Sequence, residues 1–253
     1  MLSQQNEMSF FQIKLLESQH KHEFIELVHT RDEDKCIEYI KKYNDFYNAI
    51  VGGYTGLNIL QYVCSYNLNR VAMALIDQNC NLTYQNSCGS TAMMYASCNK
   101  LNDVVTHIID KSMDIKTRTA YGVSEMMYIC DQWDVENTIK MIDRGYDIYL
   151  KDGTNRTLFT RAIIRNLKKV VMKLIDIDTN FIDEFNISYR NSGHIKDEFY
   201  RDIIKYCADK RASYKDTIIA TMDDASPTNA LYNSFHTTYA VGLVDVICDF
   251  IIL

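Results

Sequence analysis

The sequence predicts an all-α fold: a solenoid of stacked helix-turn-helix units with atypical capping repeats at both ends. Three observations predict it. Asp77, Asp110, Asp143 and Asp176 follow one another at intervals of 33 residues. Each closes a paired apolar step, Leu75-Ile76, Ile108-Ile109, Met141-Ile142 or Leu174-Ile175. Gly56, Gly89 and Gly122 keep the same interval, and Asn155 takes the fourth slot. A period of this size marks units that bury their apolar faces on their neighbours rather than within themselves.

The chain divides on this period into three parts. Residues 1–51 read as a helical N-terminal cap, a degenerate repeat. Its first helix is expected over Phe10 to His29, with Phe24, Leu27 and Val28 at three-four spacing, and its second from about Asp34 to Asn44. Residues 52–180 hold four full units. Each opens with a residue whose side-chain oxygen can accept from the free amides of a first turn: Asn58, Thr91, Ser124 and Thr157. Each second helix is expected to exit through a left-handed residue, Asn79, Ser112, Gly145 or Asp178. An Asn/Asp–aliphatic pair follows in the first three (Asn81-Leu82, Asp114-Ile115, Asp147-Ile148). Residues 181–253 read as a degenerate repeat with an insertion and a C-terminal capping repeat. A helix over Ile195 to Ala220 there is expected to bury Phe199, Ile203, Tyr206 and Cys207 on one face. A loop around Pro227, the only proline, then leads to a last unit opening at Asn229.

Charge and cysteines exclude several classes. Net charge is −6, yet the stretch from Gly52 to Asn180 carries 14 Lys/Arg against 13 Asp/Glu. A domain built for nonspecific nucleic-acid binding would be clearly basic. None of the eight cysteines forms a C-x-x-C pair, and Cys64 and Cys130 stand at equivalent repeat positions on apolar helix faces. Together with an N-terminus that lacks a charged-then-apolar signal pattern, this points to free thiols in a reducing compartment: cytoplasmic, not secreted. The apolar run from Val241 to Leu253 is interrupted by Asp245 and Asp249 and is too short to span a bilayer. No catalytic, cofactor or metal site is expected. The six histidines have no zinc spacing, no phosphate-binding G-x-x-x-x-G-K-[ST] loop is present, and no nucleophile–base–orienter set can be assembled.

Thr91-Ala92-Met93-Met94-Tyr95-Ala96, two residues after Gly89, stands where the ankyrin repeat has its T-P-L-H-x-A motif. The paired aliphatics, the small exit residue and the following Asp-Ile complete the pattern. The four units resemble ankyrin repeats strongly and both ends resemble them weakly. The proline becomes Ile59, Ala92, Glu125 and Leu158. The histidine that braces the turn becomes Gln61, Met94, Met127 and Thr160, and a thioether cannot make those hydrogen bonds. The tail from Asn229 to Leu253 also resembles ankyrin proteins of giant amoeba-infecting DNA viruses (mimivirus-like).

The resemblance implies a non-enzymatic protein–protein interaction scaffold with partners held across finger-like connectors and concave first helices, and a monomer is expected. On the fingers it selects Tyr54, Gln85, Arg118, Tyr121, Lys151, Thr154 and Arg156. At the inner helices it selects Tyr66, Asn99, Asp131, Gln132, Arg161 and Arg165. This set runs from aromatic to basic along the stack. Arg161 and Arg165 are one helical turn apart, so a basic patch is expected there, suited to an acidic protein segment or left as a solvated face. A nucleic-acid binder using that patch and a substrate adaptor for a ubiquitin ligase are the alternatives. Tyr62, Tyr95 and Tyr128, with Arg161 in the fourth slot, form either an inter-repeat packing ladder or a contact strip. Trp133, the sole tryptophan, is either a lid on the convex helices or an exposed anchor.

Overall fold

The computed structural model describes residues 2–112, 117–192, 198–226, 228–235, 243–246 and 248, with side chains from residue 12 onward. The expected Asp114-Ile115 pair, Pro227 and the end of the C-terminal apolar run lie outside them. The chain forms two compact units, 1–161 and 162–253.

The first unit begins with α1 (Leu2–Thr30) and α2 (Glu33–Lys42). α1 starts eight residues earlier than expected, because no Gly or Pro interrupts the polar segment before Phe10. Asp32 caps α2 by accepting from the Lys35 amide. Phe24, Val28, Cys36, Ile40 and Phe46 are buried between and beneath the two helices, with Phe24 and Phe46 ring centroids 4.8 Å apart. The cap therefore closes the stack on an aromatic core of its own.

Three helix pairs follow: α3 (Ile59–Ser65) and α4 (Asn69–Asp77), α5 (Ala92–Cys98) and α6 (Asn102–Lys111), α7 (Glu125–Asp131) and α8 (Val135–Asp143). First helices pack on first helices and second on second (α3 on α5, α5 on α7; α2 on α4, α4 on α6, α6 on α8). The expected caps hold: Asn58, Thr91 and Ser124 accept from the third amide of α3, α5 and α7. The buried stripe on α4 is Val71, Ala72, Leu75 and Ile76, and on α6 Val104, Val105, Ile108 and Ile109. On α8 the first two positions become Asn137 and Thr138, buried but bonded to Thr106, Asn102 and Asp134, as buried polar groups must be. Gln61 does replace the bracing histidine. Its amide donates to the carbonyls of Tyr84 and Ser90 and its oxygen accepts from the Asn58 amide.

The helix exits correct the sequence reading. Asn79 and Gly145 are left-handed (φ 57° and 79°), but Ser112 and Asp178 are extended. Ser112 instead turns its hydroxyl back onto the Ile108 carbonyl, at 2.7 Å, which satisfies an end group without a left-handed turn. Asp178 accepts from the Asn180 amide and starts the next turn. Left-handed residues the sequence did not mark lie between first and second helices: Arg31 in the cap, then Asn67, Lys100, Trp133 and Asn166. The aspartates of the 33-residue period are exposed helix ends, and two of them in the first unit reach the next outer helix. Asp77 meets His107 at 2.8 Å, and Asp110 meets Lys140 at 2.7 Å and Arg144 at 3.0 Å. Pairs this exposed contribute about 0–1 kcal/mol each, so they align the stack more than they hold it.

Among the described residues β-structure enters only in the connectors, as a short antiparallel hairpin of β1 (Ile50–Gly52) and β2 (Leu57–Asn58) and a single bridge between Arg118 and Ser124. α9 (Leu158–Ile164) crosses the division between the units. In the second unit α10 (Lys168–Ile177), α11 (Phe181–Ser192) and α12 (Glu198–Asp223) bury Val170, Leu174, Phe181, Phe185, Phe199, Tyr200 and Ile203. Tyr206, expected on the buried face, is half-buried with its hydroxyl on Asp176, which Lys210 also reaches, and Cys207 is likewise half-buried. Asn229 caps α13 (Ala230–Phe235) as expected. Among the described residues no helix is long and apolar enough to cross a membrane.

Gly89 is the tightest point of the stack. Its φ is +74°, and a Cβ there would stand 2.9 Å from the backbone of Thr119 and Ala120. Gly145 has a similar φ of +79° but open space around it. Gly145→Ala should cost about 1 kcal/mol, the left-handed penalty alone. Gly89→Ala should cost about 2–4 kcal/mol, because backbone must also move. Urea unfolding of the two variants checks this, and equal losses would show that the close approach at Gly89 carries no weight.

Candidate functional site

Four connectors project from the first unit as fingers, and their backbones are bonded in series. The Ser87 amide donates to the Thr55 carbonyl at 3.1 Å, Ala120 to Cys88 at 3.3 Å, and Gly153 to Tyr121 at 2.9 Å. Inside each later finger one side chain organises the turn. Asn86 accepts from the Cys88 and Ser90 amides, Thr119 from Val123, and Asp152 from Thr154 and Arg156. The residues of the 33-residue glycine slot, Gly56, Gly89, Gly122 and Asn155, all have positive φ.

This frame sorts the sequence-selected residues. Tyr54 and Tyr121 are fully presented to solvent, at 101% and 81% exposure. Arg118, Lys151, Thr154 and Arg156 are exposed on the third and fourth fingers, which the Gly153–Tyr121 bond holds side by side. Gln85 is exposed, but its amide is spent on the Arg118 and Gly89 carbonyls, at 2.6 and 2.8 Å. On the inner helices Tyr66 accepts from the Tyr62 hydroxyl at 3.2 Å, and Tyr62 in turn bonds the His29 ring at 2.6 Å. Asn99 donates to the Tyr95 carbonyl, and the Gln132 carbonyl accepts from Lys100. These side chains are half-buried, as are Tyr62, Tyr95 and Tyr128. Burial first, then the neighbouring Cys98, pushes the Tyr128 phenol up to about 12, so it packs as a neutral group.

Arg161 is not on the surface, contrary to the expected patch. It is buried, and its guanidinium reaches Asp131 on one side and Asp152 on the other. Arg165 is half-buried in the turn after α9, which ends at Ile164, so the two arginines share no helical face. The reason is visible in the repeat. Asn86 donates to the Tyr95 hydroxyl, nine residues on, and bridges finger to first helix. Asp152 and Arg161 occupy the same two positions two units later and make the same bridge as an ion pair. Burial alone would raise the Asp152 carboxyl. The Arg156 and Thr154 amides, the Thr154 hydroxyl and the Arg161 guanidinium outweigh it and hold it well below the usual carboxylate range. The signal the sequence reading missed was this joint change from Asn/Tyr to Asp/Arg.

Trp133 is exposed and left-handed (φ 62°), with the Lys100 ammonium 5.9 Å from its ring centre. A shallow cleft of about 360 Å³ lies between α4 and α6, lined by Asn69, Met73, Asp103, Thr106, His107 and Asp110. Most of its charges are already paired. Among the described residues no group of three His, Cys, Asp or Glu could hold a metal ion.

Residues 24–119 match the family model described as ankyrin repeats (3 copies), and the fold is that of an ankyrin-repeat solenoid. Ankyrin repeats are generally modules of protein–protein interaction. No curated protein matches the chain.

The Asp131–Arg161–Asp152 bridge gives a direct stability test. Arg161→Ala leaves two carboxylates, one of them buried, without their counter-ion and should cost about 3–5 kcal/mol in urea unfolding. Arg161→Tyr in combination with Asp152→Asn restores the Tyr95–Asn86 chemistry and should recover most of it. The Asp152 carboxyl is depressed in the fold, so its contribution is present above its ordinary value of 3.8 and lost as pH falls below it. A wild type that loses no more stability than the double variant on acidification would contradict that role.

Proposed function

We propose that the chain is a non-enzymatic interaction scaffold that holds an acidic stretch of a partner protein on its third and fourth fingers. One observation carries this reading. Arg118, Lys151 and Arg156 are exposed, as is the ring of Tyr121, on two fingers tied backbone to backbone. Guanidinium groups fork onto carboxylates, and a tyrosine supplies contact area with a polar handle. Because the fingers are already ordered, little entropy is lost when the partner docks. Arg161 adds nothing to this surface, since its charge is neutralised inside the stack. The same loss weakens a nucleic-acid reading, which had relied on it.

Tyr54, Tyr66, Asn99 and Gln132 extend the proposed contact surface toward the other fingers and the inner helices, while Asp131, expected there too, is spent on Arg161. A cytoplasmic scaffold of viral origin acting on host factors is the setting we infer. The resemblance of the Asn229–Leu253 tail to ankyrin proteins of amoeba-infecting viruses supports it.

The test is affinity capture from host cells with wild type and an Arg118→Glu/Lys151→Glu variant. The variant should unfold in urea as wild type does yet lose its captured proteins, and wild-type capture should weaken with salt. Partners that survive both the charge reversal and added Tyr121→Ala would place binding elsewhere.

A further inference from the structure

Glu125 is the first residue of α7, and its side chain is only 2% exposed. The equivalent residues of the other units are Ile59, Ala92 and Leu158, all buried and apolar. A carboxyl therefore occupies a site built for hydrocarbon. One of its oxygens accepts from the Thr91 hydroxyl, which also caps α5. The other is turned to the buried Thr117 hydroxyl at the root of the third finger, and among the described residues no cation stands by either oxygen. An ionised carboxylate left this way costs far more than a neutral acid.

We propose that Glu125 is a proton-operated latch: protonated, it holds the root of the third finger against the Thr91 turn, and ionised, it loosens that finger. The finger carries Arg118 and Tyr121, so the latch regulates partner display, a consequence that rests on the fingers being the binding surface. Burial pushes the Glu125 carboxyl up to about 7, against the opposing hydrogen bonds of Thr91 and Thr117. Among the described residues no charged group competes for it. α5 contains none. Arg118 faces solvent, Asp131 on α7 is held by Arg161, and Lys140 on α8 is held by Asp110. Asp152 and Arg161, the nearest charges of the fourth finger and α9, neutralise one another.

The sign follows from the raised value. The stability Glu125 permits is fully present below its ordinary 4.5 and is lost as pH rises through about 7. Hydrogen exchange of residues 117–131, corrected for intrinsic rates, should show wild-type protection falling by up to roughly 300-fold across that window. Glu125→Gln and Glu125→Ala, which cannot ionise, should show no such fall. Alanine fills the same position as Ala92, so E125A carries the comparison if E125Q folds poorly. Histidine titrations are common to all three proteins and cancel. A wild-type profile parallel to the variants overturns the latch. Binding of a labelled Glu/Asp-rich peptide separates the two ideas. Weaker binding at pH 8 than at pH 6 in wild type alone supports regulation. Equal pH dependence in E125A removes regulation, and no binding at either pH removes the finger surface while exchange still decides the latch.

Discussion

The contact on which the rest depends is the backbone bond between successive fingers. A peptide amide of one connector can reach the carbonyl of the previous one only if nothing projects between them. Gly89 meets that demand where the Thr119–Ala120 backbone passes. The distance between fingers then sets the distance between helix pairs, so paired aliphatics such as Leu75-Ile76 and Ile108-Ile109 fall opposite one another and bury fully. The 33-residue period is the sequence record of this geometry. A unit one residue longer would displace both the bond and the apolar faces.

Features that recur with the period were legible without coordinates. The caps at Asn58, Thr91 and Ser124, the finger glycines and the buried faces of the second helices all depend on local chemistry at fixed spacing. What failed to read was chemistry that two distant positions decide together. Ser112 was expected to be left-handed because its equivalents are Asn79 and Gly145, but its hydroxyl offers the Ile108 carbonyl a second solution. Gln61 was named in the histidine's slot without a bracing role, and its primary amide has enough donors and acceptors to brace the turn.

Arg161 shows the same limit at the candidate site. In the sequence it was one more cation in a run of cations. In the fold it is the far end of a strut whose near end is Asp152. The repeat keeps the strut and changes the atoms that make it, from amide and phenol to carboxylate and guanidinium. Position in the period therefore says which contact must be made, and the partner residue says how. Neither alone says whether a charge is left over for another molecule.

That last question divides the charged residues of the first unit. A charge spent internally, as at Asp77, Asp110, Asp131 or Arg161, steadies the stack and is hidden from a ligand. A charge on the finger surface, as at Arg118, Lys151 and Arg156, orders nothing and is open to one. Glu125 belongs to neither group. It sits where its counterparts are Ile59, Ala92 and Leu158, with two hydroxyls and no cation for company. A buried acid in that position keeps its surroundings packed only while it holds its proton. The third finger, which presents both Arg118 and the exposed ring of Tyr121, thus stands on a side chain whose fit changes with protonation near neutrality.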